Sequence, residues 1–399
     1  MKQKTDKYYY FILFNIFLLT ALNPFFSPII LQSTDMQLPV FILAALIFFF
    51  DIIRNDLKLK FEHILILFFG FISIFYFLPD TFLYFSLNKR LSILLAFLIF
   101  YAFYKYIHLI DKNFFLVGAL FNFAGVLLHF FFTDFFISIA SNFVRVIKIT
   151  EFTGRGASGF ASEPLYAATM LFFICLLSKY LFIFKKIPKN YNIFIQIISV
   201  VGIILTKSAT GYIYLIILFF FIYFSFSFIS IIFKIISFVF LIILIDNLDK
   251  FIPIDNRGYY VIRDLLFSYE ILLCDQSLFT RLHSILYGLT TLSDNLFGNG
   301  AGSSLFLDPR TVEISYNSNY NTLFYNNQNN ILNSYFIFCK VFSNPVELIR
   351  SNIFMSNIGM YTYEYGIIFI IFLISIFLIN FKFNYFNIML LVSCFLMLI

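Results

Sequence analysis

The sequence predicts an all-α polytopic membrane protein with about 11 transmembrane helices, in a range of about 10 to 12, and a large external loop between late spans. Of its 399 residues, 61% are hydrophobic and only 12% are charged. A soluble globular domain carries about 25% charge. We therefore interpret residues 1–399 as a single integral membrane domain in which no soluble domain of ordinary size is left over.

The candidate spans are apolar stretches near the roughly 20 residues that a helix needs to cross the hydrocarbon. No convincing cleavage site follows MKQKTDK and its apolar stretch, so we expect an uncleaved first helix. The seventh, ninth and last spans are short or ambiguous. The spans begin near Tyr8, Gln37, Phe61, Leu91, Phe114, Pro164, Ile193, Gly211, Ile235, Asn352 and Phe383.

Lysine sets the predicted orientation, because short cytoplasmic loops are rich in Lys and Arg. Alternate short loops carry almost only Lys, and Lys89 with Arg90 is the exception. Two long segments then lie on the outer side, residues 135–163 and residues 246–351. The second contains YNSNYNTLFYNNQNN, which is too polar to span a bilayer.

Arginine has the opposite distribution. On this topology every Arg except Arg54 lies outside. The planar guanidinium suits bidentate binding of phosphate or carboxylate, so the outer face is predicted to bind an anion. The alternative is that long external loops escape the orientation rule and contain Arg by chance.

The first motif is TGRGASGFASEP, directly before the sixth predicted span. Its glycines allow backbone to approach a ligand closely, Arg155 supplies a fixed positive charge, and Pro164 can begin a helix. Glu163 is then a partner for an Arg or a proton acceptor. A plain glycine-rich loop with a capping Glu is the alternative.

The second motif is LTKSATGY, between the seventh and eighth predicted spans. Lys207 and Ser208 can donate to phosphate or to sugar hydroxyls. The motif is equally interpretable as a tight interhelical turn.

The third motif is LFTRLHSILYGLTTLSDNLFGNGAGS, inside the large external segment. Arg281 and His283 precede an amphipathic stretch, and imidazole can exchange a proton near neutral pH. His129, near the outer end of the fifth predicted span, could approach as well. A single His is more often structural, and the tyrosines of this segment could stack on sugars or anchor at the membrane interface.

Four cysteines, Cys175, Cys274, Cys339 and Cys394, form no CxxC pair or metal-ligand spacing, so the sequence predicts no metal site. A Cys274–Cys339 disulfide is chemically allowed on the outer side. No nucleic-acid partner is expected.

These motifs, in this order and on one predicted face, resemble the O-antigen polymerase and ligase superfamily, which includes the Wzy-type oligosaccharide repeat-unit polymerases. The matching pieces are RGASGFASEP, LTKSATG, NLFGNGAGS and YTYEYGIIFIIFLI, from about Arg155 to Ile374. One departure is Ala209, where many relatives have Arg; it weakens the carry-over to Lys207.

The resemblance implies a metal-independent glycosyltransferase without a cofactor in the cytoplasmic (inner) membrane. Its donor and acceptor would be undecaprenyl-diphosphate-linked glycans, with membrane lipid around it and a separate chain-length regulator as a further partner. Arg155 and Arg281 would stabilise the diphosphate leaving group. His283 or Glu163 would be the base. The substrate-binding residues would be Arg257, Arg263, Lys207, Ser208, Tyr287 and Gly300.

Two other functions remain open from sequence. An O-antigen ligase performs the same chemistry on a different acceptor, but the Asn-rich external loop fits a polymerase that matches one repeat unit. A polysaccharide flippase or transporter is expected to place charges inside its spans. Here the charges lie mostly in loops or at span ends.

Overall fold

The computed structural model describes residues 2–23, 32–33, 36–54, 58–75, 94, 98–99, 101–103, 105–140, 156–161, 163–222, 276–299 and 357–371. This part of the chain is mostly helical, which confirms the helical class predicted from sequence. Its strands are one antiparallel pair, β1 (Gln32–Ser33) and β2 (Met36–Gln37), in which Gln32 faces Gln37.

The helices are α1 (Lys2–Leu22), α2 (Leu38–Arg54), α3 (Phe61–Phe75), α4 (Lys112–Phe131), α5 (Thr133–Ala140), α6 (Pro164–Ile183), α7 (Lys189–Leu205), α8 (Ala209–Ile222), α9 (Gln276–Asp294) and α10 (Asn357–Tyr365). A short 3-10 helix, Ile107–Leu109, precedes α4.

Among the described residues, two helices are long and apolar enough to cross a membrane by length and composition. They are α4 and α6, each of 20 residues. Tyr8–Leu22 and α7 are also apolar but shorter. At 1.5 Å per residue, a 20-residue helix is about as long as the hydrocarbon layer is thick.

Most of the predicted span positions coincide with helices. The predicted starts at Phe61 and Pro164 are the first residues of α3 and α6, and the start at Gln37 directly precedes α2. The loop predicted at 135–163 begins inside α5, so its first residues are helical rather than extended. The span starts at Leu91, Ile235, Asn352 and Phe383 lie outside the described residues.

Local chemistry fixes several helix ends. Asp111 is the N-cap of α4, and its carboxylate accepts from the backbone of Asn113 at 2.8 Å and of Phe114 at 3.3 Å. Pro164 occupies the first turn of α6, where the missing N–H costs no hydrogen bond. Lys185, with φ of 55°, closes the other end of α6, and the next N–H donates to Leu181 O.

The chain forms two compact units, residues 1–63 with 95–267 and residues 64–94 with 268–399. In the first unit, α6 packs against α7 and α8, α1 packs against α2 and α4, and α4 also packs against α7. In the second unit, α9 packs against α10.

A buried polar cluster joins distant segments of the first unit. Asp51 Oδ2 is 2.8 Å from His63 Nε2 and 2.6 Å from the Tyr101 hydroxyl, and it also binds the Lys105 ammonium group. Asp51 Oδ1 accepts from the Tyr106 hydroxyl at 2.7 Å. Because buried charge is costly without partners, this cluster holds α2, the start of α3 and the segment before α4 in one arrangement.

Candidate functional site

The first motif forms a loop, residues 156–161, that lies against the end of α7. The Ala157 N–H donates to the Leu205 carbonyl at 3.1 Å. A Cβ on Gly156 would lie 2.5 Å from the Leu205 oxygen and 2.6 Å from the Thr206 oxygen, so only glycine permits this approach. The first and second motifs, which are about fifty residues apart in sequence, therefore lie side by side.

The same loop is held on its other side by α4. His129 is fully buried, and its Nδ1 accepts from the Ser158 backbone N–H at 3.2 Å, with the Ser158 hydroxyl at 3.3 Å. Its ring stacks on Phe136, with centroids 4.8 Å apart. His129 thus ties the first motif to the end of α4.

The Phe160 side chain packs the loop against Gly125 of α4. Its ring stacks on Phe121 with centroids 4.5 Å apart and would lie 2.4 Å from a Cβ placed on Gly125. Gly159 adopts φ of 54° beside the backbone of Val126, where a Cβ would lie 2.8 Å from the Val126 nitrogen. The glycines of this motif serve close packing and a left-handed turn.

Glu163 follows the loop as the N-cap residue of α6. Its backbone oxygen accepts from Tyr166 at 3.1 Å, while its half-buried side chain makes no capping hydrogen bond. The Glu163 backbone carbonyl therefore takes part in the first turn of α6, and its carboxylate does not cap the helix. Arg155, the predicted anion ligand of the motif, lies outside the described residues.

The second motif forms the turn between α7 and α8, in agreement with the interhelical-turn interpretation. Lys207 has φ of 47°, and Ser208 Oγ accepts from the Gly211 N–H at 3.4 Å, as an N-cap of α8 would. Gly211 lies close to α6, where an added Cβ would be 3.0 Å from Ala168 Cβ. The Ser208 hydroxyl thus has a local structural role, and the binding roles of Lys207 and Ser208 remain predictions.

The third motif packs against the fourth, YTYEYGIIF, in the second unit. The Asn299 N–H donates to Tyr363 O at 3.0 Å, and the Ile367 N–H donates to Leu296 O at 2.8 Å. Gly298 has φ of 81° and Gly366 has φ of 57°, and a Cβ on either would collide with the backbone of the other segment. Left-handed glycines on both sides therefore make this contact possible.

The helices α9 and α10 also pack closely against each other at small residues. A Cβ on Gly288 would collide with the Gly359 carbonyl, and one on Gly359 would collide with the Ser284 carbonyl. Tyr287 is buried and stacks on Tyr363, with centroids 5.8 Å apart. Burial, assisted by the charge of Asp294, raises the pKa of the Tyr287 phenol above its ordinary value.

Several predicted site residues cannot be placed against this framework. Arg281 and His283 lie in α9, and their side chains lie outside the described part of the structure. His283 precedes Tyr287 by one helical turn. Gly300, Arg257 and Arg263 lie outside the described residues.

No group of three or more His, Cys, Asp or Glu that could hold a metal ion occurs in the described part of the chain. Sequence reasoning missed the loop-holding role of His129 and the seat that Gly125 gives to Phe160. The available signal was the spacing of four between these two residues, which puts them on one face of α4.

In comparisons with known proteins, no family model, no curated protein and no solved structure matches this chain.

Proposed function

We propose that this chain is a multi-pass protein of the cytoplasmic membrane, with about 11 spans, that polymerises lipid-linked sugars. It would join undecaprenyl-diphosphate-linked oligosaccharide repeat units into O-antigen or capsular polysaccharide at the outer face of that membrane. The observation that carries the proposal is the hydrogen bond from Ala157 to Leu205 O. It brings together two motifs that the resemblance links to one function.

The paired contact of the third and fourth motifs supports the same proposal. Asn299 and Ile367 supply the hydrogen bonds that join them. Four short sequence motifs thus form two packed pairs, and in each pair a glycine lets the two backbones approach closely. On the predicted topology, the first three motifs lie on the outer side, and the fourth belongs to the entry into a late span.

In the proposed reaction, a hydroxyl of the acceptor glycan attacks the anomeric carbon of the donor. A new glycosidic C–O bond forms, the bond from the anomeric carbon to the phosphate oxygen breaks, and undecaprenyl diphosphate leaves. Arg155 and Arg281 neutralise the charge that develops on the leaving group. His283 or Glu163 takes the hydroxyl proton.

The other candidate site residues would bind the substrates. Arg257 and Arg263 are further ligands for the diphosphate, and Lys207 and Ser208 are donors from the α7–α8 turn. Tyr287 and Gly300 would shape the glycan groove. A separate chain-length regulator would set the product length.

The test is the surface glycan ladder of cells in which this gene is deleted and then complemented. The complementing variants are wild type, Arg155→Ala, Arg281→Ala and Arg54→Ala. Arg54 is the matched control, because it is the Arg predicted to face the cytoplasm. Immunoblots of membranes verify that each variant is inserted.

We expect deletion to leave the lipid core bearing a single repeat unit. Wild type and Arg54→Ala should restore the ladder, and the other two variants should not, since loss of one charge stabiliser typically costs about 100-fold or more in rate. Long chains left unattached on the carrier lipid would instead identify a ligase. An unchanged ladder would contradict polymerisation and favour a transporter.

A further inference from the structure

His129 has one ring nitrogen, Nε2, that has no hydrogen-bond partner within the part of the chain that the structure describes. The Ser158 backbone N–H can only donate, so Nδ1 must be the acceptor and the ring hydrogen lies on Nε2. Nε2 is buried and has no hydrogen-bond partner among the described residues. His129 therefore carries a buried N–H donor that is unused within this part of the protein.

Two contacts hold the His129 ring in one orientation and thereby fix the direction of its Nε2–H bond. Ser158 holds Nδ1 from the loop, and Phe136 stacks on the ring face at 4.8 Å. Buried donors in native proteins are almost always satisfied by protein, water or ligand. Two helical turns earlier on α4, Asn122 also has a buried Oδ1 without a hydrogen-bond partner among the described residues, although its side-chain amide donates to the Leu22 carbonyl on α1 at 3.0 Å.

We infer that the Nε2–H of His129 donates a hydrogen bond to an oxygen of the glycan substrate, either a phosphate oxygen of the lipid carrier or a sugar hydroxyl. The inference rests on the proposed function and adds a substrate-binding residue to those proposed above. A neutral N–H suits either oxygen, because both accept a hydrogen bond. The contact with Ser158 places this donor against residues 156–161 of the first motif.

Two substitutions distinguish the role of Nδ1, which accepts from Ser158, from the role of Nε2, which donates. In His129→Asn, the side-chain amide ends near the position of Nδ1, so its oxygen can still accept from Ser158 while the donor at Nε2 is lost. In His129→Gln, the longer side chain carries an amide N–H near the position of Nε2. If His129 only holds the loop, Asn is the better replacement; if it binds substrate, Gln is.

The experiment measures binding of undecaprenyl diphosphate to the full-length protein in lipid nanodiscs, with undecaprenol as the phosphate-free control, alongside the glycan ladder in cells. We expect His129→Asn to lose the ladder and His129→Gln to retain much of it. If the oxygen belongs to phosphate, Asn also weakens carrier binding about tenfold or more. If it belongs to the sugar, carrier binding is unchanged while the ladder is still lost in Asn alone.

Wild-type behaviour of His129→Asn in both assays would overturn the inference, as would equal losses in Asn and Gln, since equal losses indicate a purely structural ring. Thermal unfolding of each variant identifies a loss caused by misfolding. If wild-type protein neither binds the carrier nor restores the ladder, the proposed polymerase itself fails, and the inference fails with it. A failure of the inference alone leaves wild-type binding and polymerisation intact.

Discussion

Replacing Gly156 by Ala should release the first motif from the end of α7. A Cβ at this position would lie 2.5 Å from the Leu205 oxygen and 2.6 Å from the Thr206 carbonyl carbon. These atoms are backbone in a helix end and its turn, so they cannot rotate away as a side chain would. The loop must therefore move, and its hydrogen bonds to neighbouring elements are expected to break.

The magnitude follows from the bonds that the shift would break. The Ala157 and Ser158 amides donate to Leu205 O at 3.1 Å and to His129 Nδ1 at 3.2 Å. A typical intramolecular hydrogen bond contributes about 0.5 to 1.5 kcal/mol, so the pair contributes about 1 to 3 kcal/mol. The opening equilibrium of the loop should then rise roughly 5-fold to 150-fold.

Hydrogen exchange of the peptide that covers residues 156–163 measures this opening, because exchange in a stable fold tracks the local opening free energy. Gly118→Ala is the matched control, since the nearest atoms to its Cβ are side-chain rather than backbone atoms, of which the Leu22 Cδ1 methyl at 2.8 Å is the closest. We expect faster exchange in Gly156→Ala alone. Exchange at the wild-type rate in Gly156→Ala would refute the close contact between this loop and the end of α7.

Two further substitutions test the framework around the site. Asp51→Ala should destabilise the protein by about 3 kcal/mol or more, because Lys105 loses its buried carboxylate partner; thermal unfolding checks this, and melting like the exposed control Asp134→Ala would contradict it. Gly366→Ala should cost about 1 to 2 kcal/mol from its φ of 57° alone and should break the Ile367 bond to Leu296 O. Hydrogen exchange of residues 363–367 checks the second, and unchanged protection would count against the contact between motifs.

Helix positions could be predicted from sequence because each depends on a local property. Apolar stretches of sufficient length mark α4 and α6, and Pro164 marks the start of α6 before any tertiary contact is known. The turn at Thr206–Ser208 was likewise readable from its small and polar residues between apolar runs. Local composition carries these features, so a single sequence is enough.

The contacts between motifs could not be predicted in the same way. His129 and Ser158 are 29 residues apart, and Asp51 meets Tyr106 across 55 residues. Nothing in the composition of either segment specifies its partner. Gly298 and Gly366 are similar, since a glycine shows that backbone approaches something without showing what.

The most direct test of the central claim uses purified protein reconstituted in liposomes with undecaprenyl-diphosphate-linked repeat units isolated from the deletion strain. The account predicts a ladder of glycans that differ by one repeat unit, with one undecaprenyl diphosphate released for each bond formed and no loss of activity in a metal chelator. Repeat units that remain single while folded protein is present, or that only cross the bilayer, would contradict it.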